Sequence, residues 1–245
     1  MTSLPQTSRN DFANTRWSVV MHQAANDSNT DHGALAELAQ RFWYPVYAYV
    51  RRCGHAPDIA RDITRNFVRQ LSIQFDGGDQ RPAPGHFRRF LLGELNVFLA
   101  GDWRASIARE DSAPLVPPAD LEDRNLRDNS TAPSPEAAYQ RSFAMEVLER
   151  ALNKLRTEAH QGGHRDMFEA LQRYLSREPV AGEYEAIAQR LRMRPMALAM
   201  ALKRLRQRLR ELAGRELADT VASPDDLAAE QAALFSILHD PPQRQ

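Results

Sequence analysis

The sequence predicts an all-α protein built as two helical domains joined by a flexible acidic linker. Three observations carry this. The strict alternation of a half-buried strand is hard to find. Apolar residues recur at three- and four-residue steps along most of the chain, as on one face of a helix. Two stretches, Ser134-Pro135-Glu136 and Ser223-Pro224-Asp225, have the form of capped helix starts, with serine at the cap and proline in the first turn. At 245 residues the chain has room for one or two domains.

Taken in order, residues 1–10 are polar and read as a flexible N-terminus. Leu35, Leu38, Ala39, Phe42, Val46, Tyr49 and Val50 define the first strong helical face. Pro45 lies inside it and predicts a kink, because proline removes a backbone hydrogen bond. Gly54 ends the run. Ile59, Ile63, Phe67 and Leu71 mark a second helix. Asp76-Gly77-Gly78-Asp79 and Arg81-Pro82-Ala83-Pro84-Gly85 then break the chain. Phe87, Phe90, Leu91, Leu95, Phe98 and Leu99 give a third helix, expected to run past Trp103.

From Glu110 the pattern dissolves into a proline-punctuated acidic stretch with one short helical piece near Leu121 to Leu126. Order returns at Pro135, where Tyr139, Phe143, Val147, Leu148, Ala151, Leu152 and Leu155 form an apolar face that Gly162-Gly163 stops. Met167, Phe168, Leu171, Tyr174 and Leu175 mark the next helix. The expected division is a first domain over 11–109, a linker over 110–134, a second domain over 135–221 and a C-terminal helical extension over 222–245. The extension has an apolar face, which predicts that it folds against the second domain.

The net charge is zero and the pI is about 7.1, so any nucleic-acid surface must be local. One stretch qualifies. A short helix around Tyr184 to Leu191 is followed by a tight turn and a second helix from Pro195 to Arg210 loaded with arginine. This is the form of a helix-turn-helix, whose second helix lies in the major groove. Ile187, Ala188, Leu191, Leu198, Leu202, Leu205 and Leu209 are expected to pack inward. Arg194, Lys203, Arg204, Arg206 and Arg208 are expected to face DNA, with Ala199 on the base-reading face. Arg192 and Arg194 stand where a glycine and a serine or threonine are usual, at ~1 kcal/mol each. Ala199, Met200 and Ala201 offer few groups that read base edges.

Set together, these stretches resemble the extracytoplasmic-function (ECF) sigma factors of the sigma-70 family, over nearly the whole chain. Thr15-Arg16-Trp17-Ser18-Val19-Val20 resembles the opening helix of one branch. Phe42-Trp43-Tyr44-Pro45-Val46-Tyr47-Ala48-Tyr49-Val50-Arg51-Arg52 resembles region 2.1, and Ala60 to Phe67 occupies region 2.2. Gly85-His86-Phe87-Arg88-Arg89-Phe90-Leu91-Leu92 through Trp103-Arg104 resembles regions 2.3 and 2.4, and the closing domain resembles region 4.

The resemblance implies promoter-specific transcription initiation. Partners would be core RNA polymerase, through its β′ coiled coil and β flap, and promoter DNA. The helix-turn-helix would bind the −35 element, and Arg88, Arg89, Trp103 and Arg104 would bind the −10 element, with an extruded base held by the loop from Phe75 to Gly85. Phe90 is expected to be core. Asp62, Arg65 and Asn66 fall where the family contacts polymerase. Region 2.2 departs from the family pattern, because Arg61, Arg65 and Asn66 replace the expected acids and glutamine, and like charges disfavour such an interface. Thr64 lies among these residues and is a candidate phosphorylation site for a Ser/Thr kinase, since a phosphate would restore negative charge. Two other readings remain open: a helix-turn-helix regulator that works without polymerase, and a protein-interaction module.

Other functions find little support. No nucleophile–base motif or phosphate-binding loop is present, so the chain does not read as an enzyme, and no cofactor is implied. His160 and His164 flank Gly162-Gly163 and fall in a loop rather than at metal-ligand spacing on a helix. The lone Cys53 excludes an internal disulfide and reads as a small buried residue. No apolar run approaches a membrane span, and no signal-peptide pattern opens the chain, so the expected location is cytoplasmic.

Overall fold

Helical apolar spacing is satisfied by helix-on-helix packing throughout. The structure is a computed structural model that describes residues 17, 34–76, 86–103, 120–180 and 182–239. Among them are ten α-helices, a single 3-10 turn and no strand. They are α1 (Ala34–Arg41), α2 (Trp43–Arg52), α3 (Pro57–Asp76), α4 (Phe87–Ala100), α5 (Leu121–Asn129), α6 (Pro135–Gln161), α7 (Arg165–Leu171), α8 (Glu183–Leu191), α9 (Pro195–Ala218) and α10 (Pro224–His239). The chain forms two compact units. The first takes 1–146 and 217–245, and the second takes 147–216.

This division differs from the one expected at 110–134. The described part of the acidic stretch is not a spacer: α5 belongs to the first unit and packs on α2. Its acids explain why. Tyr47 Oη donates to Glu122 at 2.5 Å, the Arg51 guanidinium grips the same carboxylate at 2.6 and 2.8 Å, and Tyr44 Oη donates to Asp128 at 2.9 Å. The Arg124 guanidinium lies 3.8 Å from the centre of the Tyr44 ring. Hydrogen bonding to Arg51 holds the Glu122 carboxyl below its ordinary range.

The core of the first unit is aromatic. Phe42 and Phe143 stack in parallel, with ring centres 4.1 Å apart. Trp17, fully buried, meets Phe87 edge-on at 5.5 Å and Phe90 at 5.2 Å. Phe90, expected in the core, is half-buried and lies against Trp17. The break in the first long apolar run falls at Phe42, not as a kink at Pro45. Helix α2 restarts at Trp43, which places Pro45 in the first turn, where its missing N–H needs no partner. Gly54 closes α2 at φ +96°, a left-handed value open to glycine. Cys53, beside it, is exposed rather than buried.

Both serine-capped starts are realised. The Ala137 N–H donates to Ser134 Oγ at 3.1 Å, and the Asp226 N–H donates to Ser223 Oγ at 3.1 Å. The destination of α10 is not the expected one: it belongs to the first unit. The helix buries both an apolar side chain, Leu234 at 4% exposed, and an ion pair. Glu230, 2% exposed, accepts from both Nε and Nη2 along one edge of the Arg88 guanidinium, with Nη2 at 2.8 Å from Oε2. His86 lies between Asp226 and Glu230, at 3.7 and 3.6 Å.

The second unit contains the end of α6 with α7, α8 and α9. One cluster joins Ala170, Leu171, Tyr174, Ile187, Ala188, Leu198 and Leu202. Another joins Ala151, Leu155, Ala159, Phe168 and Leu212. The first cluster fixes α8 and the front half of α9 as a pair, and the second ties the rear half of α9 to α6 and α7.

Candidate nucleic-acid interface

The turn between α8 and α9 is built without glycine. Arg192 takes the left-handed conformation at φ 53°, ψ 42°. A non-glycine residue there costs about 1–2 kcal/mol. The turn is nonetheless well closed. The Met193 N–H donates to the Ala188 carbonyl at 2.9 Å, the Arg192 N–H to the Gln189 carbonyl at 3.3 Å, and the Met193 side chain packs on the Ile187–Leu198 core. This is the hydrogen-bond pattern and apolar contact of a Schellman cap. Pro195 then opens α9, and the Arg194 carbonyl accepts from the N–H groups of Ala197 and Leu198.

At the front of α8, Glu183 organises the preceding loop. It accepts from Arg177 at 2.7 and 2.9 Å, from the Val180 N–H at 2.8 Å and from Tyr174 Oη at 2.9 Å. The Arg177 hydrogen bonds, followed by the Val180 N–H, hold its carboxyl down at about 2.

The inward set falls as expected: Ile187, Ala188, Leu198 and Leu202 are buried, and Leu191, Leu205 and Leu209 pack against the two cores. The cations divide. Arg194, Lys203 and Arg204 are exposed, and none of the ion pairs among the described residues involves them. Ala199 is half-buried on the same half of the helix. Arg206 and Arg208, expected to face DNA, are held within the unit. Arg206 donates to the carbonyls of Tyr174 at 2.7 Å and Arg177 at 2.6 Å, and pairs with Glu178. Arg208 grips Glu158 at 2.6 and 2.8 Å and reaches Glu211 at 3.1 Å. Both have internal carboxylate partners a groove would have to displace.

The first unit treats its expected nucleic-acid residues differently again. Arg88 is 6% exposed and committed to Glu230, so it does not present its guanidinium to a phosphate. Trp103 is 8% exposed and meets His55 edge-on at 5.4 Å, a packed ring rather than an open stacking platform. Arg89 is exposed. Arg104 and the loop over 77–85 lie outside the described residues.

In α3, Asp62 and Arg65 are half-buried and pair with each other at 3.0 Å. Asn66 is 5% exposed, so little of it faces a partner. Thr64 is fully buried, and its hydroxyl donates to the Ala60 carbonyl at 2.7 Å. A kinase acting on the folded chain has no access to it. The spacing held a warning, because Ala60, Ile63, Thr64, Phe67, Val68 and Leu71 form a single buried stripe. Two features were missed from sequence. One is the clamping of Tyr44, Tyr47 and Arg51 by α5. The other is the exposure of Met196 and Met200 on the outer face of α9, at 74% and 46%.

Among the described residues, no three His, Cys, Asp or Glu side chains gather as a metal site, and no helix is long and apolar enough to cross a membrane. No protein-family model, curated protein or solved structure matches the chain.

Proposed function

We propose that this protein is a sigma-type transcription initiation factor that reads promoter DNA through α8 and α9. The carrying observation is the α8–turn–α9 pair, in which a buried apolar seam leaves Arg194, Lys203 and Arg204 exposed along the second helix. Such a surface suits a polyanion, and its binding weakens as salt rises because each phosphate contact releases counterions. The order of the region 2-like and region 4-like stretches supports a sigma factor over a plain DNA-binding domain. Arg89 remains the exposed cation of α4 for strand contact, while Arg88 and Thr64 carry no part of the proposal.

A polymerase-independent helix-turn-helix regulator is the second reading. It is favoured by Arg61, Arg65 and Asn66 standing where the family presents acids and glutamine, and by Arg88 being occupied by Glu230. In vitro transcription from a promoter library, with and without core RNA polymerase, separates the two. A sigma factor gives defined start sites only with core polymerase. Operator binding by the chain alone, with no initiation on addition of core polymerase, overturns the sigma reading.

A further inference from the structure

We propose that Met196 and Met200 give α9 its sequence preference by contacting the 5-methyl groups of thymines in the major groove. The inference rests on the reading of α8–α9 as a DNA-binding pair and names what that pair discriminates.

The geometry starts from the core. Leu198, Leu202 and Leu205 point α9 inward. At about 100° per residue, Met196, Met200, Lys203 and Gln207 then fall within roughly 60° of one another on the opposite side. Of these, Met196 and Met200 are large apolar side chains left 74% and 46% exposed. With Ala199 beside them, the front of the outward face has no hydrogen-bonding side chain until Lys203. A face of that kind cannot satisfy the donor and acceptor pattern of a G·C pair. It can bury the methyl group that only thymine presents in the major groove. Methionine suits this contact, since its unbranched polarisable thioether adapts to an irregular surface.

The surroundings select the occupant. No acidic residue occurs between Glu185 and Glu211, whereas Arg190, Arg192, Arg194, Lys203 and Arg204 all lie in that span and are exposed. The carboxylates that reach α9, Glu178 and Glu158, are taken up by Arg206 and Arg208 in its rear half, so the apolar strip at its front, followed by exposed Lys203 and Arg204, matches base edges between two phosphate rows. It does not match the mixed-charge rim of a typical protein interface. Met196 and Met200 are one helical turn, about 6 Å, apart along the helix axis, so one groove can take both side chains.

The test uses the full chain, alone and with core RNA polymerase. Duplexes are first selected from a random library at low salt. Each thymine in the selected duplexes is then replaced by deoxyuridine, which removes only the methyl group. Wild type is expected to lose about fourfold in affinity per methyl removed at two positions. The Met196→Ala, Met200→Ala variant is expected to bind thymine and deoxyuridine duplexes equally, with an unchanged thermal midpoint because both side chains are exposed. A Lys203→Ala variant is expected to weaken both duplexes alike. Equal binding of the two duplexes by wild type overturns the inference while leaving DNA binding intact. So does a double variant that keeps the wild-type discrimination. Failure to retain any duplex in either condition overturns the DNA-binding reading itself.

Discussion

Arg88 in the first unit and Arg204 in the second are both helix-borne cations within stretches that resemble DNA-contacting regions. Arg88 is buried against a carboxylate 142 residues away in sequence, and Arg204 stands in solvent. The same contrast recurs inside α9, where Lys203 and Arg204 are exposed while Arg206 and Arg208 are tied to Glu178 and Glu158. A count of arginines therefore says little about nucleic-acid binding. The informative quantity is the number of cations left after the protein's own carboxylates have taken theirs.

The sharpest way to break this comparison is at Glu230. Glu230→Ala leaves the Arg88 guanidinium buried and unpaired and is expected to cost about 3–5 kcal/mol in urea denaturation. An Arg88→Met, Glu230→Leu pair is expected to restore most of that loss, since it removes both charges. A loss under about 1 kcal/mol for the single variant would mean that Arg88 swings free, and the contrast with Arg204 would fail.

Arg206 is the intermediate case. Arg206→Ala removes hydrogen bonds to two backbone carbonyls and an ion pair, and is expected to cost about 1–2 kcal/mol in thermal or urea unfolding. Lys203→Ala and Arg204→Ala should each stay within about 0.5 kcal/mol of wild type in stability. Each should also lower the slope of log affinity against log salt by about one phosphate contact. Reversal of this pattern, with Arg206 governing the salt slope, would exchange the roles assigned to the two halves of α9.

The smallest expected effect is on pH dependence. The Glu183 carboxyl is held at about 2, below its ordinary 4.5, by Arg177 and the Val180 N–H. A depressed carboxyl stabilises the fold above its unfolded value and loses that contribution as pH falls through the folded one. Thermal unfolding should therefore report a decline from about pH 4.5 toward 2 that Glu183→Gln makes shallower, the remainder coming from the other lowered carboxyls such as Glu122 and Glu158. An unchanged acid profile in that variant would detach the loop clamp from the stability of the second unit.

Much of the fold was legible because helices announce themselves locally. Periodicity located the apolar faces, and Ser134-Pro135, Ser223-Pro224 and Gly54 marked ends that the structure realises with hydrogen bonds or a left-handed backbone. What could not be read was pairing at long range. Nothing near Arg88 signals Glu230, and nothing near Tyr47 signals Glu122. The docking of α5 and α10 on the first unit was missed for that reason. Thr64 is a different kind of miss. Its position in the buried stripe of α3 is visible in the spacing, but a hydroxyl flanked by Arg61 and Arg65 has the local composition of a surface site. The helix-turn-helix was legible as a pattern, including the left-handed position that Arg192 fills. Which of its cations are exposed was not, because that depends on Glu158 and Glu178 outside the motif.

The tyrosines of the first unit have a spectroscopic consequence. Burial, reinforced by Glu122 at Tyr47 and Asp128 at Tyr44, raises both phenols well above the ordinary 10.0. Burial likewise lifts Tyr139, and takes Tyr49 to about 12. At about pH 11 an unfolded chain would carry these rings as phenolate, while the folded unit keeps their protons. These are four of the six tyrosines, so the growth of near-ultraviolet phenolate absorbance after a jump to that pH follows mainly the opening of the first unit, with no label attached.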